Sequence, residues 1–354
     1  MPRLLFAIVG VGSGNSTRNL AILRELAADR DLEIKIAAQG RAYEFFKDRF
    51  PTFPLEEVTY TKDARFTPWS LLKSNLSFPR KFLRNVAAYG RILDEYRPDL
   101  IVADSDFYCL RPARRRRIPI LTLNSSAVVV ETFRRLRPRP RGHFFSYRLI
   151  ESTDYWIQRR FATEVICPVV QLMGGLSRKF HQVPPIVRQE FLRDDDAPPQ
   201  TQRRALTVML GGSGIGAETL DLRFWKEPCA ALGRLPLGPR QLEVLGFTDR
   251  PDILLRQSDR VIIQGGFSSI SELIALRKPC IVVPIPGHAE QFINAHTLER
   301  LGVAIRSRGT DLPRALNLLE KRYDSMRRRY DELNLACDGH LAAAQIIREF
   351  ARAT

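Results

Sequence analysis

Residues 259–303 read DRVIIQGGFSSISELIALRKPCIVVPIPGHAEQFINAHTLERLGV, and their pattern decides the fold. Residues 261–263 form a short apolar strand. The turn Gln264-Gly265-Gly266-Phe267-Ser268-Ser269 follows. Ile270, Leu273, Ile274 and Leu276 then recur at helical spacing, and Lys278-Pro279 ends the run. A second apolar strand over 280–285 enters a Pro-Gly-His loop, and another helix starts near Glu290. Strand, helix, strand in this order is the βαβ unit of a parallel sheet.

The chemistry of this stretch is concentrated in its turn. Gly265 and Gly266 carry no Cβ, so a ligand can approach the backbone. Ser268 and Ser269 stand where a helix begins, and free N–H groups and the dipole there favour phosphate. Glu272, one turn on, repels phosphate but can accept hydrogen bonds from both hydroxyls of a ribose. The plainer reading makes Ser268 a helix cap and Glu272 a solvated carboxylate.

In order, these residues resemble the donor half of the GT-B glycosyltransferases. That group includes the UDP-glycosyltransferases, the UDP-GlcNAc transferase that makes lipid II, and related archaeal and bacterial enzymes. The shared set is a glycine turn, Ser-x-x-Glu, Lys-Pro before a strand, and the run Glu290-Gln291-Phe292-Ile293-Asn294-Ala295. The resemblance implies two Rossmann-like α/β domains facing across a cleft. It puts Glu290, Gln291 and Asn294 near the donor sugar, and Gln264 beside the diphosphate in place of a His or Ser. Upstream, Gly211-Gly212-Ser213-Gly214 follows a strand and is a second phosphate-cradle candidate through backbone N–H groups. Phe247 falls where the family places an aromatic near the nucleotide base.

The N-terminal half opens with a strand near residues 4–9 and the turn Gly10-Val11-Gly12-Ser13-Gly14-Asn15-Ser16-Thr17-Arg18. This is not the dinucleotide fingerprint. The glycine spacing is wrong, and the second strand closes on Gln39-Gly40 rather than an acid. It resembles the Gly-x-Gly-x-Gly-His-x-x-Arg loop of the same transferases, which makes Gly12, Ser13 and Gly14 an acceptor-side loop. The family's catalytic His is Asn15 here, and an amide has no pKa suited to proton abstraction. Asn15 is left to position an acceptor. Asp104 and Asp106, at the end of a later strand, become the candidate bases, with helix capping as the alternative for each.

The chain has 354 residues and a net charge of +16. Residues 1–190 hold 32 Lys and Arg against 19 Asp and Glu, and the remainder holds 23 against 20. The excess therefore sits in the N-terminal half, in runs such as Arg114–Arg117 and the arginines at 134, 135, 137, 139 and 141. Residues 51–98 interleave aromatic and basic side chains, and 125–141 read as an exposed loop. These features favour an anionic membrane lipid or a lipid-linked acceptor as partner over nucleic acid, for which no recognition module is present. No run reaches the roughly 18 apolar residues of a membrane span. Five scattered cysteines and five scattered histidines give no zinc spacing and suit a reducing compartment. The expected location is the cytoplasm, at the inner face of the membrane.

The expected organisation is an acceptor domain over 1–189, a polar linker over 190–204 and a donor domain over 205–354, with the last helix crossing back. The expected reaction moves a sugar from a nucleotide sugar, UDP-linked by resemblance, to an acceptor hydroxyl with inversion. It uses no metal and no cofactor beyond the donor. A nucleotide-sugar hydrolase of the same fold is one alternative. A non-catalytic binder of nucleotide sugars or polyanions, following from Asn15, is the other.

Overall fold

The computed structural model describes every residue except 11–12, 58–77, 194–203, 211–219, 234, 236, 247, 249 and 354, and the side chain of residue 13. The aromatic–basic segment, most of the linker, Gly12, Gly211, Gly212, Ser213, Gly214 and Phe247 lie outside the described residues, as does the Ser13 side chain.

Two parallel sheets carry the chain. The first has the order β3-β2-β1-β4-β5-β6-β7, with β1 at Arg3–Ile8, β2 at Glu33–Gln39, β3 at Thr52–Leu55, β4 at Leu100–Asp104, β5 at Ile120–Leu123, β6 at Glu164–Pro168 and β7 at Phe180–Val183. The second has the order β10-β9-β8-β11-β12-β13, with β8 at Arg204–Met209, β9 at Cys229–Leu232, β10 at Leu242–Leu245, β11 at Ser258–Ile263, β12 at Cys280–Val282 and β13 at Ala304–Arg306. Strands such as β4 are wholly buried and apolar up to their last residue, here Asp104, as a sheet covered on both faces requires. In each sheet the strand order reverses beside one central strand: β1 lies between β2 and β4, and β8 lies between β9 and β11. Ligands of open α/β sheets bind outside the carboxyl ends of the strands at such points.

The last helix, Gly339–Ala353, belongs spatially to the first sheet. Its Ala343, Ala344, Ile347 and Ala351 pack with Leu4, Phe6, Leu23 and Val102. Gly339 permits the crossing, because a Cβ there would stand 1.9 Å from the Pro184 carbonyl oxygen. Earlier, Val187 and Phe191 already sit in the second domain's core, ahead of β8. The chain therefore crosses between the sheets at both ends of the second domain.

The region expected as a loop over 125–141 contains a helix, Ser126–Arg135. Its Ala127, Val129, Val130 and Phe133 are buried at helical spacing, so burial of one face overrides the basic composition of its end. The following helical stretch runs as Phe144–Ser146, a π turn at Tyr147–Glu151, and Ser152–Phe161.

Candidate active site

The turn after β11 leads into helix Phe267–Ala275, whose N-cap is Gly266. Gly265 has φ +92°, and a Cβ on it would meet a Val282 methyl at 3.0 Å and the Gln291 carbonyl oxygen at 3.2 Å. A glycine is therefore required there. Gly266 differs, since a Cβ on it would meet nothing within 4 Å. The open approach lies at Gly266, and Gly265 makes the bend. Asn294 braces the bend by donating from Nδ2 to the Gly265 carbonyl at 3.0 Å. Gln291 Oε1 accepts from the Ile285 N–H at 3.0 Å, which fixes the amide. Gln264 is buried beside them.

Neither plain reading of the turn holds. Ser268 does not cap its own helix. Its Oγ donates 3.1 Å to the Gly14 carbonyl, 254 residues away in the first domain. Glu272 is not solvated but 4% exposed, and its Oε1 accepts from Nε and Nη2 of Arg188 at 3.0 and 2.6 Å. Burial raises the Glu272 pKa and outweighs the opposing charge of Arg188. Among the described residues, Oε2 of Glu272 has no hydrogen-bond partner. Ser269 is half-buried in the first turn of the helix.

Across the cleft, the β1 turn leads into helix Ser13–Ala27. The two candidate bases are both held within the first domain. Asp104 is fully buried, and its two carboxylate oxygens accept from Nε and Nη2 of Arg18 and from Asn19 Nδ2. Burial works against the Arg18 charge, but Asp104, by charge and hydrogen bond, and then Glu290 hold its pKa above the ordinary value. Ser105 Oγ donates a fourth bond to Oδ1 at 3.3 Å, so no lone pair of the carboxylate is left for an acceptor hydroxyl. Asp106 is 1% exposed. It accepts from Tyr89 Oη at 2.8 Å and from the Tyr108 N–H at 2.9 Å. Burial pushes its pKa up to about 6, against those hydrogen bonds. At 1% exposure it offers an acceptor hydroxyl no open approach. Asn15 donates 3.3 Å to the Val9 carbonyl and so ties down its own turn.

A group that the sequence did not announce joins the cleft from the π turn. Glu151, His288 and Glu290 bring their ligating atoms within 4.8 Å of one another. Burial, and then the charges of Glu290 and Asp154, hold the Glu151 carboxyl well above the usual range. Burial and Glu290 push Asp154 to about 7. Burial keeps the pKa of His288 below its ordinary value, with Glu290 opposing. The seam is closed nearby, where the Ala289 N–H donates 3.2 Å to Oγ of the buried Ser146. Positions 151 and 288 are far apart in sequence, and short-range spacing carries no trace of their meeting.

Comparison with known proteins fits this geometry. Residues 2–208 match the model of "Glycosyl transferase family 1", and residues 207–335 match "Glycosyltransferase family 28 C-terminal domain". An uncharacterized glycosyltransferase of Methanosarcina mazei is 32% identical over 383 residues, covering 98% of this chain and 99% of that protein. The UDP-N-acetylglucosamine–N-acetylmuramyl-(pentapeptide) pyrophosphoryl-undecaprenol N-acetylglucosamine transferase of Lacticaseibacillus casei is 25% identical over 269 residues, covering 69% of each chain. The crystal structure of MurG from Acinetobacter baumannii superposes with a TM-score of 0.60 at 15% identity, covering 99% of this chain and 100% of that one, which is a likeness of fold. The first family model spans more than half of the chain, and the protein is a glycosyltransferase belonging to glycosyl transferase family 1.

Proposed function

We propose that the protein moves a sugar from a UDP-sugar to a hydroxyl of a lipid or lipid-linked acceptor, with inversion and without a metal at the diphosphate. The observation that carries this reading is the Ser268–Gly14 hydrogen bond, which sets the N-terminus of helix Phe267–Ala275 against the first-domain turn. The N–H groups of that first helical turn lack partners within the helix and suit a diphosphate, most of all as it departs with its full charge. The open side of Gly266 gives the phosphates their approach. Arg188 holds one oxygen of Glu272, and the other accepts from the ribose. Glu290 and Gln291, at the start of helix Ala289–Leu301, take the sugar hydroxyls, as the family resemblance implies.

UDP and the lipid-linked acceptor are supported by the name of the Lacticaseibacillus relative, which specifies both for that enzyme. The surface supports a membrane-facing acceptor as well. Leu149 and Trp156 stand more than half exposed on the stretch Tyr147–Phe161, beside exposed Arg148, Arg159 and Arg160. An apolar patch ringed by arginines suits an anionic bilayer surface. Among the described residues no helix is long and apolar enough to cross a membrane.

The test is thermal unfolding of the purified protein with UDP, GDP, dTDP, CMP and their sugars, repeated with Glu272→Gln. A UDP ligand in large excess raises the midpoint by a few degrees in the wild type, and the variant loses most of that rise. If no nucleotide shifts the wild type, the donor assignment falls. Sedimentation with phosphatidylglycerol vesicles examines the acceptor side. Recovery of the protein in the supernatant at low salt would remove the membrane from the reading.

A further inference from the structure

The three groups that meet across the seam come from both domains. Glu151 is supplied by the π turn Tyr147–Glu151 of the first domain, and such turns are frequent at functional sites. His288 precedes and Glu290 opens helix Ala289–Leu301 of the second. This is the one place among the described residues where three His, Cys, Asp or Glu side chains converge in this way. Glu151 is 5% exposed and has no hydrogen bond or ion pair among the described residues. One of its oxygens faces the cluster, within 4.8 Å of the ligating atoms of His288 and Glu290. Glu290 stands beside it, half-buried, with no hydrogen bond or close ion pair among the described residues; Arg18 acts on it only through its charge. A carboxylate this buried without a partner costs several kcal/mol, and two side by side cost more. Two other buried acids, by contrast, each have a cation: Asp104 has Arg18, and Glu272 has Arg188.

We propose that Glu151, His288 and Glu290 form a divalent transition-metal site that ties the two domains together across the cleft. The donor set is two carboxylate oxygens and one imidazole nitrogen, with the imidazole in the neutral form that a metal requires. A nitrogen donor disfavours Mg²⁺ and Ca²⁺, which take oxygen, and suits ions such as Zn²⁺ and Mn²⁺. Three protein ligands leave further positions to water or hydroxyl oxygens. Ligand atoms at about 2.1 Å from a common ion lie no more than about 4.2 Å apart. The ligating atoms already lie within 4.8 Å of one another, so an ion would bridge the π turn and helix Ala289–Leu301 along the seam marked by Ser146 and Ala289. The site is separate from the helix end assigned to the diphosphate, and it shares Glu290 with the proposed sugar contact, so sugar hydroxyls would reach that carboxylate through the ion's open positions.

The test uses the full chain, stripped of metal and titrated with Mn²⁺ followed by electron paramagnetic resonance, and with Zn²⁺ followed by calorimetry. One ion binds per chain and raises the unfolding midpoint. Glu151→Gln and Glu290→Gln, one in each domain, each weaken binding at least tenfold, and His288→Ala does the same. In the metal-free state the two glutamine variants unfold at the wild-type midpoint or above it, because each replaces a carboxyl that is costly to ionise there with a neutral amide of the same shape, and this confirms that they are folded. Absence of saturable binding of either ion overturns the site. So does binding by the three variants that matches the wild type.

Discussion

At the carboxyl end of β1 the chain bends through Gly10 and enters helix Ser13–Ala27. At the carboxyl end of β11 it bends through Gly265 and enters helix Phe267–Ala275. Both bends stand at a switch point of a parallel sheet, and both are glycine turns followed by Ser and Thr or Ser and Ser. They use their polar groups in opposite ways. In the first, Asn15 bonds Val9, Thr17 bonds Gly14, and Arg18 and Asn19 bond Asp104, so the turn binds itself to the sheet. Its Gly10 is there for packing, since a Cβ would lie 2.1 Å from the Gln39 carbonyl oxygen. In the second, Gly266 opens on free space, Ser268 reaches the other domain, and one oxygen of Glu272 has no partner among the described residues. A glycine turn at a switch point marks where a ligand can bind. The direction of the side chains that follow decides whether the turn presents itself to the ligand or is filled from within.

The largest expected effect tests whether the first turn is filled. Asp104→Ala strands Arg18, whose side chain is 11% exposed, as an unpaired buried cation. The loss is about 3–5 kcal/mol of stability, read from urea unfolding of the first domain. An unchanged midpoint with abolished transfer would instead make Asp104 a catalytic base and break the comparison. The next effect concerns Asp106. Its folded pKa, about 6, lies above the unfolded value near 3.8, so the folded state holds the proton more tightly. The resulting stabilisation is complete below about pH 4 and is lost as the pH rises through 6, an amount of about 3 kcal/mol. Asp106→Asn removes that slope, so the stability of the variant relative to the wild type rises between pH 4 and 7. A difference that stays flat across the window would mean that Asp106 titrates as an exposed carboxyl, open to substrate.

The sequence shows the second turn far better than the first, and the reason is physical. Helix Phe267–Ala275 and the strands beside it are built from short-range periodicity, and Gly265, Ser268 and Glu272 lie within one βαβ unit. What Glu272 does depends on Arg188, 84 residues earlier, and no local pattern carries that pairing. Asp104 misleads for the same reason. An acid at the end of a parallel strand does point toward the crevice, but Arg18, 86 residues away, reaches it first. The Arg that matches the family's loop was in view, and its buried partner was not. The helix Ser126–Arg135 shows a third kind of failure. Arginines at one end masked a buried face of Ala127, Val130 and Phe133, which a helical count from Ser126 would have found. Glu151 has no local signal at all, because its neighbours come from residues 288–290.

The smallest effect asks whether the two turns touch in solution. Ser268→Ala removes one neutral hydrogen bond, worth about 1 kcal/mol at most. The true cost lies toward the low end, because Gly14 O also accepts from Thr17 Oγ1 at 3.1 Å and is not left unsatisfied. Taken alone, so small a shift decides little. A double-mutant cycle with Gly14→Ala decides more. A Cβ at position 14 would stand 2.9 Å from Ser268 Oγ and 3.6 Å from Ser268 Cβ. The clash is therefore with the hydroxyl, and Ser268→Ala relieves it. Gly14→Ala should cost more in the wild type than in the Ser268→Ala background, with a coupling of 0.5 kcal/mol or more, about the least that residues in contact show. Costs that add to within about 0.3 kcal/mol would mean that the first turn, filled as it is, stands apart from the donor helix, and that the acceptor side of the cleft is set by other residues.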